Sequence, residues 1–259
     1  MKALLLSAGL GTRLLPYTHN WPKCLMPIKG RPLLEYWLSI LKQQNIDEVL
    51  INRHHHSETV KEFLQQPQFN GWVKSVYEEQ LLGTAGTVRK NTDFFRDNTV
   101  LIAHADNWCC CDFEDFISYH NHKRPAGTLI TMMTFDCENP SSCGIVELDD
   151  QGVVVGFHEK IESPPGRLAN AAVYIIEPEV LQWIEQNQKV NDFSTEVLPY
   201  FFGKITTWKN NNIHKDIGTI EILQNAQLDN CEPPFWDISN RWQEQFNKHS
   251  IHKEIKEKI

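Results

Sequence analysis

The chain has 259 residues, 41% of them apolar and 22% charged, with a formal net charge of −8. That is enough length for a substantial core, and too acidic a balance for a nucleic-acid surface. No apolar run is long enough to cross a bilayer and the first apolar stretch is too short for a signal-peptide core, so a soluble cytoplasmic protein is expected, with neither membrane nor nucleic acid as partner.

Lys2 to Leu6 reads as a short buried strand running into Ser7-Ala8-Gly9-Leu10-Gly11-Thr12-Arg13-Leu14-Leu15-Pro16, with Pro22-Lys23 following. Glycines let backbone N–H groups approach phosphate oxygens closely, because no Cβ intervenes and positive φ costs little. Arg13 can grip phosphate bidentately, and Lys23 adds a movable point charge. A dinucleotide fingerprint would need glycine at Leu14, and a Walker A loop would need a later glycine with Lys-Ser/Thr, so both are excluded. Lys2, Arg13, Lys23, Lys29 and Arg31 all precede the first acidic residue, Glu35. A locally cationic loop in an acidic protein suits one small anionic ligand.

Pro32 suits the first turn of a helix, with Leu33, Leu34, Trp37, Leu38 and Leu41 on one face. Glu48 to Asn52 is the second expected strand, Ser57 the N-cap of a helix ending before Pro67, and Val73 to Tyr77 the third strand. His54-His55-His56 looks like a metal cluster, but consecutive residues point in different directions, so at most one functional histidine is expected. Gly83 to Phe95 is a loop entering a helix, Thr99 to Ala103 a strand, and Asp112 the cap of a further helix. These βα units imply an α/β fold: a three-layer α/β/α, Rossmann-like, mixed and mostly parallel sheet.

Beyond about residue 127 the pattern turns β-rich, with Thr128 to Phe135, a hairpin of Gly144 to Leu148 and Val153 to His158 around Asp149-Asp150-Gln151-Gly152, and Ala171 to Ile176. Helices are expected at Glu179 to Asn187, Ser194 to Phe202 and Thr219 to Asn225, with short strands at Ile205 to Trp208 and Ile213 to Asp216. Glu232-Pro233-Pro234 breaks the chain, and Trp236 through Ile259 reads as amphipathic helices serving packing or homo-oligomerisation. Trp37 and Trp183 are expected in the core. The seven cysteines are odd in number, with three consecutive at Cys109 to Cys111 and no Cys-x-x-Cys pair. Reduced thiols are therefore expected over a disulfide framework or a zinc site.

In an open α/β sheet ligands sit at the carboxyl ends of strands. Asp106, after Val100-Leu101-Ile102-Ala103, and Asp216, in Lys215-Asp216-Ile217-Gly218-Thr219, hold that position and could share one hard cation.

The glycine loop, Pro22-Lys23, Leu82-Gly83-Thr84-Ala85-Gly86-Thr87, the Asp106 segment, Gly144-Ile145-Val146, Glu159-Lys160, Asn170-Ala171-Ala172-Val173-Tyr174 and Asp216-Ile217-Gly218-Thr219 occur in one order. In that order they resemble the sugar-1-phosphate nucleotidylyltransferases, most closely the mannose-1-phosphate guanylyltransferase branch, over roughly residues 2 to 228. The resemblance implies the nucleotide-diphospho-sugar transferase fold, in a nucleotidyltransferase domain over 1–229 (nucleotide half about 1–126, sugar-phosphate half about 127–229) with a helical tail at 230–259. It implies nucleotide binding by Ala8, Gly9, Gly11, Thr12, Arg13, Gly83, Thr84 and Gly86, and a catalytic set of Arg13, Lys23, Asp106 and Asp216, both aspartates carrying Mg²⁺. Gly144, Glu159, Lys160 and Asn170 would meet the sugar phosphate.

The implied reaction joins a nucleoside triphosphate, GTP foremost, to a mannose- or heptose-1-phosphate. Guanine presents two adjacent donors that Glu78 or Glu79 could accept. Use of CTP or UTP with another sugar or alcohol phosphate, or a non-catalytic nucleotide-sugar sensor, are the alternatives. The sequence departs from the pattern at Ala172, where glycine is common, and at Leu15, which replaces a frequent second arginine. The chain is also expected to lack the added C-terminal domain of longer relatives, and with it a second activity.

Overall fold

The computed structural model describes residues 1–236 and 240–256. Of the helical reading for Trp236 to Ile259, residues 237–239 and 257–259 therefore lie outside the described residues. The chain forms two compact units that interleave along the sequence, one of residues 1–4, 82–103 and 111–214, the other of residues 5–81, 104–110 and 215–259.

In the first unit the strand Leu168–Ile176 organises a mixed sheet. It runs antiparallel to Val100–His104, to Ile130–Asp136 and to Gly144–Leu148. Ile205–Lys209 joins Ile130–Asp136 in parallel. The expected hairpin is present as Gly144–Leu148 against Val154–Glu159, and the Asp149 carboxylate closes its turn by accepting from the Gln151 and Val153 amides at 2.9 Å.

The register of Leu168–Ile176 slips between Asn170 and Tyr174, where Ala172 sits in the left-handed region at φ 53°. The Asn170 side chain accepts from the Ala172 amide at 2.9 Å and fixes this kink. A Cβ in that region costs about 1–2 kcal/mol, more than the roughly 0.4–1 kcal/mol that glycine loses through the unfolded chain. Ala172→Gly is therefore expected to stabilise the protein by about 0.5–1 kcal/mol in urea titrations; a lower midpoint at unchanged slope would contradict it.

In the second unit Val49–Arg53 pairs in parallel with Val73–Tyr77. The helix Leu33–Gln43 buries Leu33, Leu34, Trp37, Leu38 and Leu41, and the Trp37 indole donates to the Asn107 carbonyl at 2.8 Å. The helix Ser57–Leu64 follows His56 at φ 50°. Ser57 is thus the first helical residue and not the expected cap, because the left-handed turn at His56 changes the chain direction one residue earlier. A strand that the sequence reading missed, Asn107–Cys110, pairs with Ile213–Asp216. The mixed, mostly parallel sheet with helices expected from the sequence is the fold observed. Among the described residues, no helix is long and apolar enough to cross a membrane.

Two expectations need correction. Trp183 is only half-buried, stacked on exposed Tyr200 at 4.3 Å. Cysteine pairing also differs from the all-thiol reading: Cys110 bonds Cys231 and Cys137 bonds Cys143. Cys110 and Cys231 are 121 residues apart, so local spacing could not have revealed that pair.

Candidate functional site

The glycine loop is exposed from Gly9 to Arg13 apart from half-buried Gly11, and Ala8 at its start is buried. Gly11 needs its freedom twice over: its φ is 65°, and a Cβ there would lie 2.8 Å from the Thr18 methyl. The Thr18 hydroxyl also donates to the Gly11 carbonyl at 2.9 Å. Ring nitrogens of both His55 and His56 sit against the Thr18 carbonyl, at 3.1 and 3.0 Å. So two of the three histidines brace the loop from behind.

Strand order fixes the loop's base. The Asn52 side chain accepts from the Ser7 amide at 2.8 Å, the Ser7 hydroxyl donates to the Asn52 carbonyl, and the Asn52 amide donates to the Glu78 carboxylate at 3.1 Å. Glu78 is buried whereas Glu79 is exposed, which separates the two carboxylates that the sequence left equivalent.

The charged residues of this unit converge. Lys23, only 6% exposed, donates to Asp106 and to Asp216, each at 2.7 Å. Arg13 donates to the other oxygen of Asp216 at 2.6 Å. Burial alone would lower the Lys23 pKa, but the attraction of both carboxylates outweighs it and holds the ammonium above its ordinary value. Burial likewise pushes Asp216 up, and Lys23 and Arg13 together pull it below the usual carboxylate range. Lys23 and Asp216 are therefore both charged at neutral pH. Gly9 faces the Asp106 carboxylate, and a Cβ at Gly218 would lie 3.0 Å from the Arg13 guanidinium carbon.

Asp229 completes the frame. Its carboxylate accepts from the Trp108 indole at 2.9 Å and from Lys215 at 2.6 Å, so it ties the residue two after Asp106 to the residue just before Asp216. Asp229, Thr18, Asn52 and Gly218 escaped the sequence reading. Only Gly218, inside the Asp216-Ile217-Gly218-Thr219 motif, carried a local signal.

Asp106 and Asp216 fit a hard divalent cation. Oxygens from both carboxylates already close on one positive atom, the Lys23 ammonium. Among the described residues no group of three or more His, Cys, Asp or Glu side chains could hold a metal. Magnesium suits such a sparse set, because it keeps waters and takes its remaining ligands from substrate phosphates.

The other predicted residues lie in the first unit. Gly83, at φ 76°, opens the helix Thr84–Lys90, and a Cβ there would strike the Asn191 carbonyl. The Thr84 hydroxyl accepts from the Phe193 amide at 2.7 Å, and the Ala85 amide donates to Asn191 at 2.9 Å. Gly86 lies buried in the same helix. Gly144 pairs with Glu159 in the hairpin, and a Cβ there would strike Phe157 and the Glu159 carboxylate. Lys160, at φ 49° and exposed, reaches Glu159 at 3.1 Å. Asn170 donates to the buried Tyr174 hydroxyl at 2.6 Å, whose pKa burial pushes up to about 12.

Residues 2–232 match the family model described as nucleotidyl transferase. The chain is 32% identical over 213 residues to the UTP–glucose-1-phosphate uridylyltransferase of Synechocystis, covering 77% of this chain and 54% of that protein. It is 30% identical to the mannose-1-phosphate guanylyltransferase of Mycobacterium tuberculosis, covering 88% of this chain and 64% of that one. It thus spans about half to two-thirds of the length of the curated relatives it matches. A Bacillus anthracis crystal structure, named as a candidate glucose-1-phosphate thymidylyltransferase in complex with a sucrose, superposes with a TM-score of 0.78 at 21% identity. That match covers 93% of this chain and 98% of the other.

Proposed function

As the chain belongs to the nucleotidyl transferase family, we propose that it transfers a nucleoside monophosphate from a nucleoside triphosphate to a sugar 1-phosphate and releases pyrophosphate. The observation that carries this reading is the convergence of Arg13, Lys23, Asp106 and Asp216 beside the glycine loop. A sugar 1-phosphate is already an anionic nucleophile, so no general base is required. One of its phosphate oxygens attacks the α-phosphorus in line; the bond to the bridging oxygen breaks and its electron pair leaves with pyrophosphate. Catalysis is then positioning and charge neutralisation.

In this reading the backbone N–H groups from Ala8 to Arg13 cradle the triphosphate, and the Arg13 guanidinium meets the leaving pyrophosphate. Lys23 releases its carboxylates to face the α-phosphoryl oxygens. Asp106 and Asp216 hold Mg²⁺, which supplies charge neutralisation at the phosphates when bound. Lys160 pairs with the acceptor phosphate, while Glu159 and Asn170 meet sugar hydroxyls beside Gly144. Gly83, Thr84 and Gly86 lie along the base or ribose. Glu78, on turning its carboxylate away from Asn52, accepts the paired donors of guanine, so GTP with a mannose- or heptose-1-phosphate is the proposed pair, used in the cytoplasm.

A panel of four nucleoside triphosphates against several sugar 1-phosphates, read by pyrophosphate release, tests the proposal. Turnover with GTP and its loss in Glu78→Gln are expected. The relatives named for UTP make uridine the competing outcome, and silence across the whole panel from well-folded protein would sink the enzymatic reading.

A further inference from the structure

The segment linking Arg13 to Lys23 has no regular structure beyond the short turns Thr12–Leu14 and Tyr17–His19. Turns of this length do not hold themselves, yet the segment carries both cations of the candidate site. Two of its buried side chains, Tyr17 and Trp21, meet the stretch that holds the helices Arg241–Lys248 and Ile251–Lys256, beyond the family match that ends at residue 232.

The Trp21 indole, two residues before Lys23, stacks on Phe246 at 5.7 Å and lies against the His249 ring at 4.3 Å. Its N–H donates to the Leu25 carbonyl at 2.8 Å and so spans the turn Lys23–Leu25. The Tyr17 hydroxyl donates to the Glu254 carbonyl at 2.9 Å. Next to Tyr17 is Thr18, which packs on Gly11 and donates to its carbonyl. Phe246 also stacks on Trp242 at 5.1 Å, and Trp242 meets Phe63 of Ser57–Leu64 at 4.9 Å. Phe246, Ile251 and Ile255 are buried.

We propose that residues 240–256 are a positioning element for the phosphate loop: through Tyr17 and Trp21 they set where Gly11, Arg13 and Lys23 stand, without touching substrate. The proposal deepens the nucleotidyl-transfer reading and rests on it for its kinetic consequence. A positioning role differs from plain packing in where its loss is felt. Triphosphate handling weakens, while acceptor binding, which that reading assigns to Lys160 and Glu159, does not.

The test compares wild type with Phe246→Ala, which removes the stack under Trp21, and Tyr17→Phe, which removes one hydroxyl and leaves the ring. Val180→Ala, a buried truncation in the other unit, controls for lost stability. Amide exchange of the nucleotide-free proteins is expected to be roughly tenfold faster over residues 9–25 in Phe246→Ala, less so in Tyr17→Phe, and unchanged there in the control. KM for the nucleoside triphosphate rises by about three- to tenfold in both loop-side variants while KM for the sugar phosphate holds. Wild-type exchange over residues 9–25 in both variants would overturn the proposal, as would an equal rise in both KM values. If the wild type turns over no substrate of the panel, the functional reading falls while the exchange result still decides the positioning. Should Phe246→Ala fail to fold, Tyr17→Phe gives the same decision.

Discussion

Asp106→Ala is expected to lower kcat by about three orders of magnitude while leaving a folded protein. The scale is that of removing one preorganised electrostatic group from a reaction that depends on positioning and charge, about 10²–10³, compounded by weaker retention of the metal. The fold should survive because the change does not strand Lys23, which keeps Asp216 at 2.7 Å. Single-turnover pyrophosphate release across a magnesium titration checks it. Partial recovery at high magnesium would fit a ligand role. A kcat within threefold of wild type at all concentrations would remove Asp106 from the site.

The second large effect is expected from Lys23→Met. Turnover should fall about 10²–10³-fold through loss of the charge that faces the α-phosphoryl group. The nucleotide-free protein should change in the opposite sense, because Lys23 occupies both carboxylates. Without it, Asp106 and Asp216 lose their shared counter-charge. The variant should then bind Mn²⁺ more tightly than wild type, as read by paramagnetic resonance without any substrate. Its melting temperature should fall at neutral pH, since two close carboxylates repel, and recover on adding a divalent cation. Equal Mn²⁺ affinity in the two proteins would mean that lysine and metal do not compete for these oxygens.

Much of the fold was legible because its signals are local. The face Leu33, Leu34, Trp37, Leu38 and Leu41 fixed one helix, and the acidic turn before Val153 fixed a hairpin. The converging quartet was legible for another reason: Arg13, Lys23, Asp106 and Asp216 each stand in a motif whose order along the chain is distinctive. What escaped depends on tertiary contact. Asp229 has no motif, and its role exists only because Trp108 and Lys215 meet at its carboxylate. The difference between Glu78 and Glu79 lies in tertiary contact too: Glu78 is buried and accepts from Asn52 of the neighbouring strand, while Glu79 is exposed. Ser57 carried the right chemistry for a cap, but the left-handed residue before it decided the boundary. The Cys110 to Cys231 pair closes over so long a stretch that no spacing rule applies.

The interleaving of the two units has a practical edge. The chain passes from one to the other between residues 4 and 5, 81 and 82, 103 and 104, 110 and 111, and 214 and 215. No single cut therefore releases either unit whole, and a fragment ending near residue 126 would carry Asp106 without Asp216. Chimaeras with relatives of other base preference must exchange discontinuous blocks together: grafts at 1–4, 82–103 and 111–214 have to move as one set to keep that unit whole.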